Sequence, residues 1–252
     1  MNDHLRVSRP MISAHQPAYF PWLGLLHKIH SADLFIIFDC VSLENGSFVN
    51  RNRFRNPSAG ISWLTLPVDR KTGRSKVGGS EKPFSELIRI CDCLVTPKAD
   101  WRRKHLEHIR HSYRRTPFFN TLFPSVEECL MRHEINADLT ALCIDTTLLL
   151  ARFMGIETPV MRSSQMNLCG AREHRVLDMV LKAGGSSFLF GALGRNYAEP
   201  DFFIKAGVQP LVQDFTLPES ERELPPLSAL DFLFRHGPDI QKAFSGGRIL
   251  EL

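Results

Sequence analysis

A chain of 252 residues with 43% hydrophobic and 23% charged side chains is long enough to bury its own core and too ordinary in composition to be disordered or fibrous. Its formal net charge of +4 suits an anionic small-molecule substrate but falls short of a nucleic-acid footprint, because no run of five like charges concentrates it. The six cysteines are scattered, the opening MNDHLRVSRP has no apolar core, and the most apolar helix candidate, 139–154, carries Asp145 and Arg152. The expectation is therefore no disulfide framework, no signal peptide and no membrane span, with reduced thiols in a cytoplasmic protein.

Residues 1–10 read as a loose tail. The next stretch, 11–41, reads as strand, polar turn, short helix and strand. The second apolar run, 34–38, is unbroken by polar residues, as in a strand covered on both faces, which favours a parallel sheet. A crossover between parallel strands leaves the first turn at the carboxyl edge of the sheet, where open α/β folds place ligands. Pro17 and Pro21 fix φ and extend the residues before them, so that turn is stiff. It carries His15, Gln16, Tyr19 and Trp22, and Asp39 ends the second strand near the same edge. An imidazole and a carboxylate facing one cleft suit acid–base chemistry; the structural alternative is a hydrogen-bonded histidine, core aromatics and prolines that only mark a turn.

Residues 47–68 read as a β-hairpin, SFVNRNRF and ISWLTLP joined by NPSAG. A period of two puts Arg51 and Arg53 on one face and Asn50 and Asn52 on the other. Two neighbouring guanidiniums form a phosphate or carboxylate clamp, or else a solvated face. The loop 69–83 contains KTGRSK, which lacks the order of a phosphate-binding loop. Residues 85–95 read as a strand with Cys91 and Cys93 on one face, more in keeping with buried thiols than with a metal site.

A helical insert spans 98–154, its first helix opened by Pro97, with Trp101, His105, Ile109 and Tyr113 at three- to four-residue spacing. Lys104 and His105 either contact substrate phosphate or belong to a solvated basic face. His105, His108 and His111 drift around the helix without a carboxylate to join them, so no metal is assigned. Two more helices are expected over 124–133 and 137–154, the latter capped by Asn136 and ended by Gly155.

From 158 onward strand and helix alternate: TPVMRSS, REHRVLDMVLKAGG, SSFLFG, EPDFFIKAG, VQPLVQDF, LSALDFLFRHG. The alternation predicts an α/β fold with a mostly parallel three-layer sheet, Rossmann-like, in one domain over 11–240 that carries the hairpin and the insert. The opening unit is also how nucleotidyltransferase-like folds begin, without their second histidine three residues after His15. Ser163, Ser164, Gly191 and Asp214 fall at carboxyl ends of strands and should share an edge with His15 and Asp39. Arg172 opens a helix, where backbone amides favour a phosphate. Gly191 allows close backbone approach to a ligand, with Tyr197 as a lining residue, while Ser228 and Asp231 have the spacing of a cap. The tail 241–252 has no evident pairing partner.

HQPAYFPWLGLLHKI, SADLFIIFDCV, VNRNRF and WLTLP together resemble the WbqC-like family pattern of HQPxYxPWLGxxxKI, DxFxxxDxV, NRNR and WLTxPV. WRRKH with Tyr113, the paired serines, Gly191 with Tyr197, QDF and LSALDFLFRHGP extend the resemblance from His15 to Pro238. It implies a role among surface-polysaccharide functions and transfer chemistry on sugar precursors. The leading expectation is a transferase placing an acyl or aminoacyl group on a nucleotide-linked amino sugar. His15 serves as base, oriented by Asp39 or Asp214, and Arg51, Arg53, Lys104 and Arg172 hold phosphates. An activated acyl or aminoacyl donor takes part, and tRNA enters only as an aminoacyl donor. The alternatives are ATP-dependent adenylate-forming or nucleotidyl-transfer chemistry at the same cleft, and a non-enzymatic binding protein of glycan assembly.

Overall fold

The computed structural model describes residues 10–68, 88–96, 100–196 and 198–252. The loop 69–83, Pro97, Tyr197 and nearly all of the N-terminal tail lie outside the described residues.

The opening unit folds as β1 (Met11–His15), α1 (Leu23–His30) and β2 (Leu34–Ile37), with β1 and β2 parallel. The predicted hairpin follows as β3 (Arg51–Asn56) and β4 (Gly60–Thr65), paired in a separate two-stranded sheet. Three helices come next, α2 (Trp101–Tyr113), α3 (Phe119–Met131) and α4 (Leu139–Phe153). The alternation then resumes as β5 (Val160–Arg162), α5 (Arg172–Lys182), β6 (Ser187–Phe190), α6 (Pro200–Lys205) and β7 (Gln209–Phe215). The chain closes with α7 (Ala229–His236), α8 (Ile240–Phe244) and β8 (Gly247–Glu251).

The main sheet has the order β5-β2-β1-β6-β7-β8, parallel except for β8. From β1 the chain moves outward through β2 to β5, then returns to β6 on the other flank of β1 and moves outward the opposite way. The carboxyl ends of β1 and β6 thus flank the point where the strand order reverses, and at such a point a crevice opens. On one face of the sheet, Phe35 and Ile37 join a large core with α1, the hairpin, α2–α4 and α7. On the other, Ile12, Ile36 and Val212 pack against Met179 and Val180 of α5 and Phe203 of α6.

Five local expectations are corrected. Among the described residues of the expected strand 85–95, 90–92 form a single 3-10 turn and the flanking residues make isolated bridges, while 85–87 lie outside the described residues. The second helix of the insert runs straight through Pro124 from Phe119, because Phe119 and Phe123 stack on one buried face. The third is capped by Asp138, whose carboxylate accepts from the Ala141 amide, not by Asn136. The C-terminal segment is β8, antiparallel to β7 from Leu211↔Glu251 to Phe215↔Gly247. Its side chains are mostly exposed, so burial left no pattern in the sequence to reveal it. The S-x-x-D spacing before α7 is only half a cap: Ser228 accepts from the Leu230 amide, but buried Asp231 is gripped by Arg55 and Arg235.

Candidate functional site

The turn after β1 is stiffer than its prolines alone require. Phe20 has φ of 44°, a left-handed conformation uncommon for a bulky residue. It is held by Asn52, buried on β3, whose amide donates to the carbonyls of Tyr19 (3.2 Å) and Phe20 (2.7 Å). The Phe20 amide donates to Thr146 of α4 at 3.3 Å. Gly24 is required because a Cβ there would collide with the Trp22 indole. The hairpin and the helical insert therefore brace the loop that presents His15.

His15 stands at the end of β1, where two recesses meet. The first, about 390 Å³, lies at the reversal of strand order and is walled by Ala14, Gln16, Lys28, Phe38, Gly191, Leu193 and Phe215. The second, about 290 Å³, lies under the hairpin between Ala18, Pro21, Phe48, Asn52 and Arg53. His15, Trp22 and Leu25 line both.

The ring Nδ1 lies 2.8 Å from the Gln16 carbonyl. A carbonyl only accepts, so Nδ1 carries the proton and Nε2 keeps its lone pair. His15 is exposed at the surface, yet the protein around the ring partly desolvates it, and this desolvation together with the nearby charge of Lys28 pushes its pKa down, against the Gln16 hydrogen bond, which raises it. At neutral pH His15 is an uncharged acceptor.

Neither carboxylate offered for orienting the imidazole is bonded to it. Both Asp39 oxygens are occupied by Arg162 Nε (2.8 Å), Ser163 Oγ (3.0 Å), the Ser164 amide (2.8 Å) and Ser164 Oγ (2.9 Å). Asp39, Ser163 and Ser164 thus form a buried lock between the carboxyl ends of β2 and β5. Asp214 alternates with Gln213 and Phe215 along β7; those two line the recess or pack on α1, which turns Asp214 to the opposite face.

The alternation on β3 follows the sequence, with Asn52 inward and Arg51 and Arg53 outward. Arg51 donates to the Gly46 carbonyl at 2.6 Å and lies 4.3 Å from the Trp63 ring centre. Arg53 lies 5.3 Å from Phe48 and 5.1 Å from Trp63, and it lines the second recess. The two rings are 39% and 42% exposed, a cation–aromatic surface that no spacing in the sequence announced. Asn50 is spent on the Leu66 carbonyl at 2.8 Å.

Four predicted ligand contacts sit elsewhere. Tyr19 is fully buried with its hydroxyl 2.9 Å from Nδ1 of His105, and His105 is buried on α2, its pKa lowered to about 4 chiefly by desolvation. Lys104 is exposed on the outer face of α2, and Arg172 is exposed at the start of α5; neither lines a recess. Gly191 does line the first recess, and so does Gln16.

Lys28 was not singled out by the sequence. It is buried on α1, its Nζ donates to the Ala14 carbonyl at 2.8 Å, and desolvation pushes its pKa down to about 7. No local signal in LLHKI marks it, because the burial of seven of the eight α1 residues comes from packing against distant segments.

Among the described residues no helix is long and apolar enough to cross a membrane. An uncharacterized protein of Mycobacterium tuberculosis strain H37Rv, Rv1507c, is 24% identical over 229 residues, covering 89% of this chain and 93% of its own. No solved structure matches significantly. The model of the WbqC-like protein family matches residues 16–243, from the Gln16 turn through both recesses to α8, and the chain belongs to that family.

Proposed function

We propose that the protein is a transferase of surface-polysaccharide or related sugar-precursor biosynthesis, moving an acyl or aminoacyl group onto a nucleotide-linked amino sugar. The observation that carries this reading is the uncharged His15 ring at the junction of two recesses, with Nε2 free. A hydrolase needs one substrate pocket and water; a transferase needs two substrates meeting at one proton acceptor. Lys28 in one recess and Arg53 in the other give each substrate a cation for its anionic end.

An amine nucleophile attacking an acyl carbon must shed a proton, and Nε2 of His15 accepts it. The free ring is a weak base chiefly through desolvation and secondly because Lys28 opposes its charge; an anionic ligand beside Lys28 removes that second opposition and raises the basicity of His15 when substrate arrives. Half-exposed Trp63 and Phe48 suit stacking on a nucleobase or sugar at the mouth of the second recess.

The test is a thermal-shift screen over sugar nucleotides, coenzyme A esters, aminoacyl donors and ATP, followed by turnover of any stabilising pair by wild type and His15→Gln. The variant should fold normally and lose about a hundred- to ten-thousand-fold in rate. Undiminished turnover removes His15 from the reaction. Stabilisation by ATP with pyrophosphate release would replace acyl transfer with adenylate-forming chemistry. A protein that no small molecule stabilises, but that retains a stable protein partner, would be a binding protein.

A further inference from the structure

Lys28 is an anomaly of the fold. Seven of the eight residues of α1 are buried, so the ammonium cannot reach the outer surface along the helix and ends instead on the Ala14 carbonyl at the carboxyl end of β1, facing the first recess. Among the described residues no carboxylate lies within ion-pair distance of it; the nearest buried acid along this edge, Asp39, is committed to Arg162. A buried charge without a counterion is strongly unfavourable, and a fold keeps one only where something else balances it.

The surroundings show where that balance comes from. The amine forms part of the wall of the first recess, and Gly191, the first residue after β6, leaves it uncovered: a Cβ there would stand 3.8 Å from Nζ. The other described lining residues, among them Trp22 before α1, Leu25 within it, Phe38 after β2, Leu193 after β6 and Phe215 on β7, include no acidic side chain, and Gln16 and Gln213 are the only polar ones besides His15. His15 on β1 is the other titratable lining group, and it too would be relieved by negative charge nearby. The recess therefore holds two mutually opposed bases, apolar walls and no anion.

We infer that Lys28 is an anion receptor, binding a phosphate or carboxylate group of a ligand in the recess where the strand order reverses. The inference rests on the reading of that recess as a substrate site, but not on which group is transferred. Its consequence is proton uptake. An anion favours the ammonium, so binding raises the Lys28 pKa from about 7, and affinity weakens as pH climbs above that value.

Competitive acetylation of all lysines with trace acetic anhydride, read by peptide mass spectrometry across a pH series, tests this directly. Inorganic pyrophosphate serves as the phosphate probe and succinate as the carboxylate probe. In the free protein Lys28 should titrate near 7, far below the ordinary lysine value of 10.5. Saturation with one of the two anions should move the Lys28 midpoint up by about one unit, slowing its acetylation near neutrality by up to about tenfold, with Lys104 unchanged. The effective probe identifies the group. Gly191→Val, which covers the amine without removing it, should abolish the shift while leaving the circular dichroism spectrum intact. A Lys28 that titrates near the ordinary lysine value of 10.5, or whose midpoint moves with neither anion, overturns the inference. If that happens while a sugar nucleotide still stabilises the protein and turnover still needs His15, the proposed function survives alone; an anion-responsive Lys28 in a protein indifferent to His15→Gln is the converse.

Discussion

Lys28→Met should make the protein more stable, not less. The ordinary value of the amine is 10.5 and burial brings it to about 7, so between those values the unfolded chain binds a proton that the folded chain has released. Stability therefore rises with pH across that window, by up to about 1.4 kcal/mol per unit, and is lost again as pH falls through the folded value. At pH 7 the buried amine costs the fold about 4 kcal/mol. Methionine keeps the apolar reach of the stem but forgoes the hydrogen bond to the Ala14 carbonyl, worth about 1 kcal/mol, which leaves a net gain of about 3 kcal/mol. Urea unfolding followed by circular dichroism at a series of pH values from neutral to about 9.5 should show a rising curve for wild type and a nearly flat one for the variant. A wild type with no alkaline gain, or a variant less stable than wild type at neutral pH, would mean that the amine is solvated or paired, and the reasoning about α1 would be wrong.

Asn52→Ala should cost about 2–3 kcal/mol in urea unfolding, since it leaves the buried Tyr19 and Phe20 carbonyls without a donor and frees the left-handed turn. Asp39→Ala should cost about 3–5 kcal/mol by the same assay, because Arg162 and the paired serines lose their shared acceptor. In acid the buried imidazoles His27 and His105, both held near 4 by burial, contribute stability that is present above 6.5 and lost as pH falls through about 4. Denaturation curves across that window should fall by about 6 kcal/mol in total, about 3 kcal/mol for each ring, and His105→Phe should shed its share.

How much of this was legible in the sequence depended on how local the cause was. The β1–α1–β2 unit was readable because LFII is apolar on both faces, and the alternation after 158 because each strand and helix carries its own signal. The outward arginines of β3 followed from a period of two. The carboxyl-edge placement of His15 and Gly191 followed from parallel strands, and the structure brings both to one recess.

What stayed hidden depended on residues far apart in the chain. Asp39 looked like a partner for His15, yet its donors come from 123 to 125 residues away. Tyr19 looked like a ligand contact until its hydroxyl met His105, 86 residues on. Lys28 was passed over because a lysine in a short helix ordinarily reaches water, and only the packing of α1 against the sheet and α8 prevents it. The last strand escaped notice because an exposed edge strand has no buried face to impose alternation.

The central claim is that the ligand lies against Nε2 of His15. Carbethoxylation by diethyl pyrocarbonate near neutral pH, located by peptide mass spectrometry, tests it with whichever compound stabilises the protein in the thermal-shift screen. The account predicts rapid modification of His15 in the free protein, because the ring is uncharged and open to the cleft, and protection of His15 when that compound is bound. A compound that stabilises the protein while His15 is modified at an unchanged rate would put the ligand elsewhere and contradict the account.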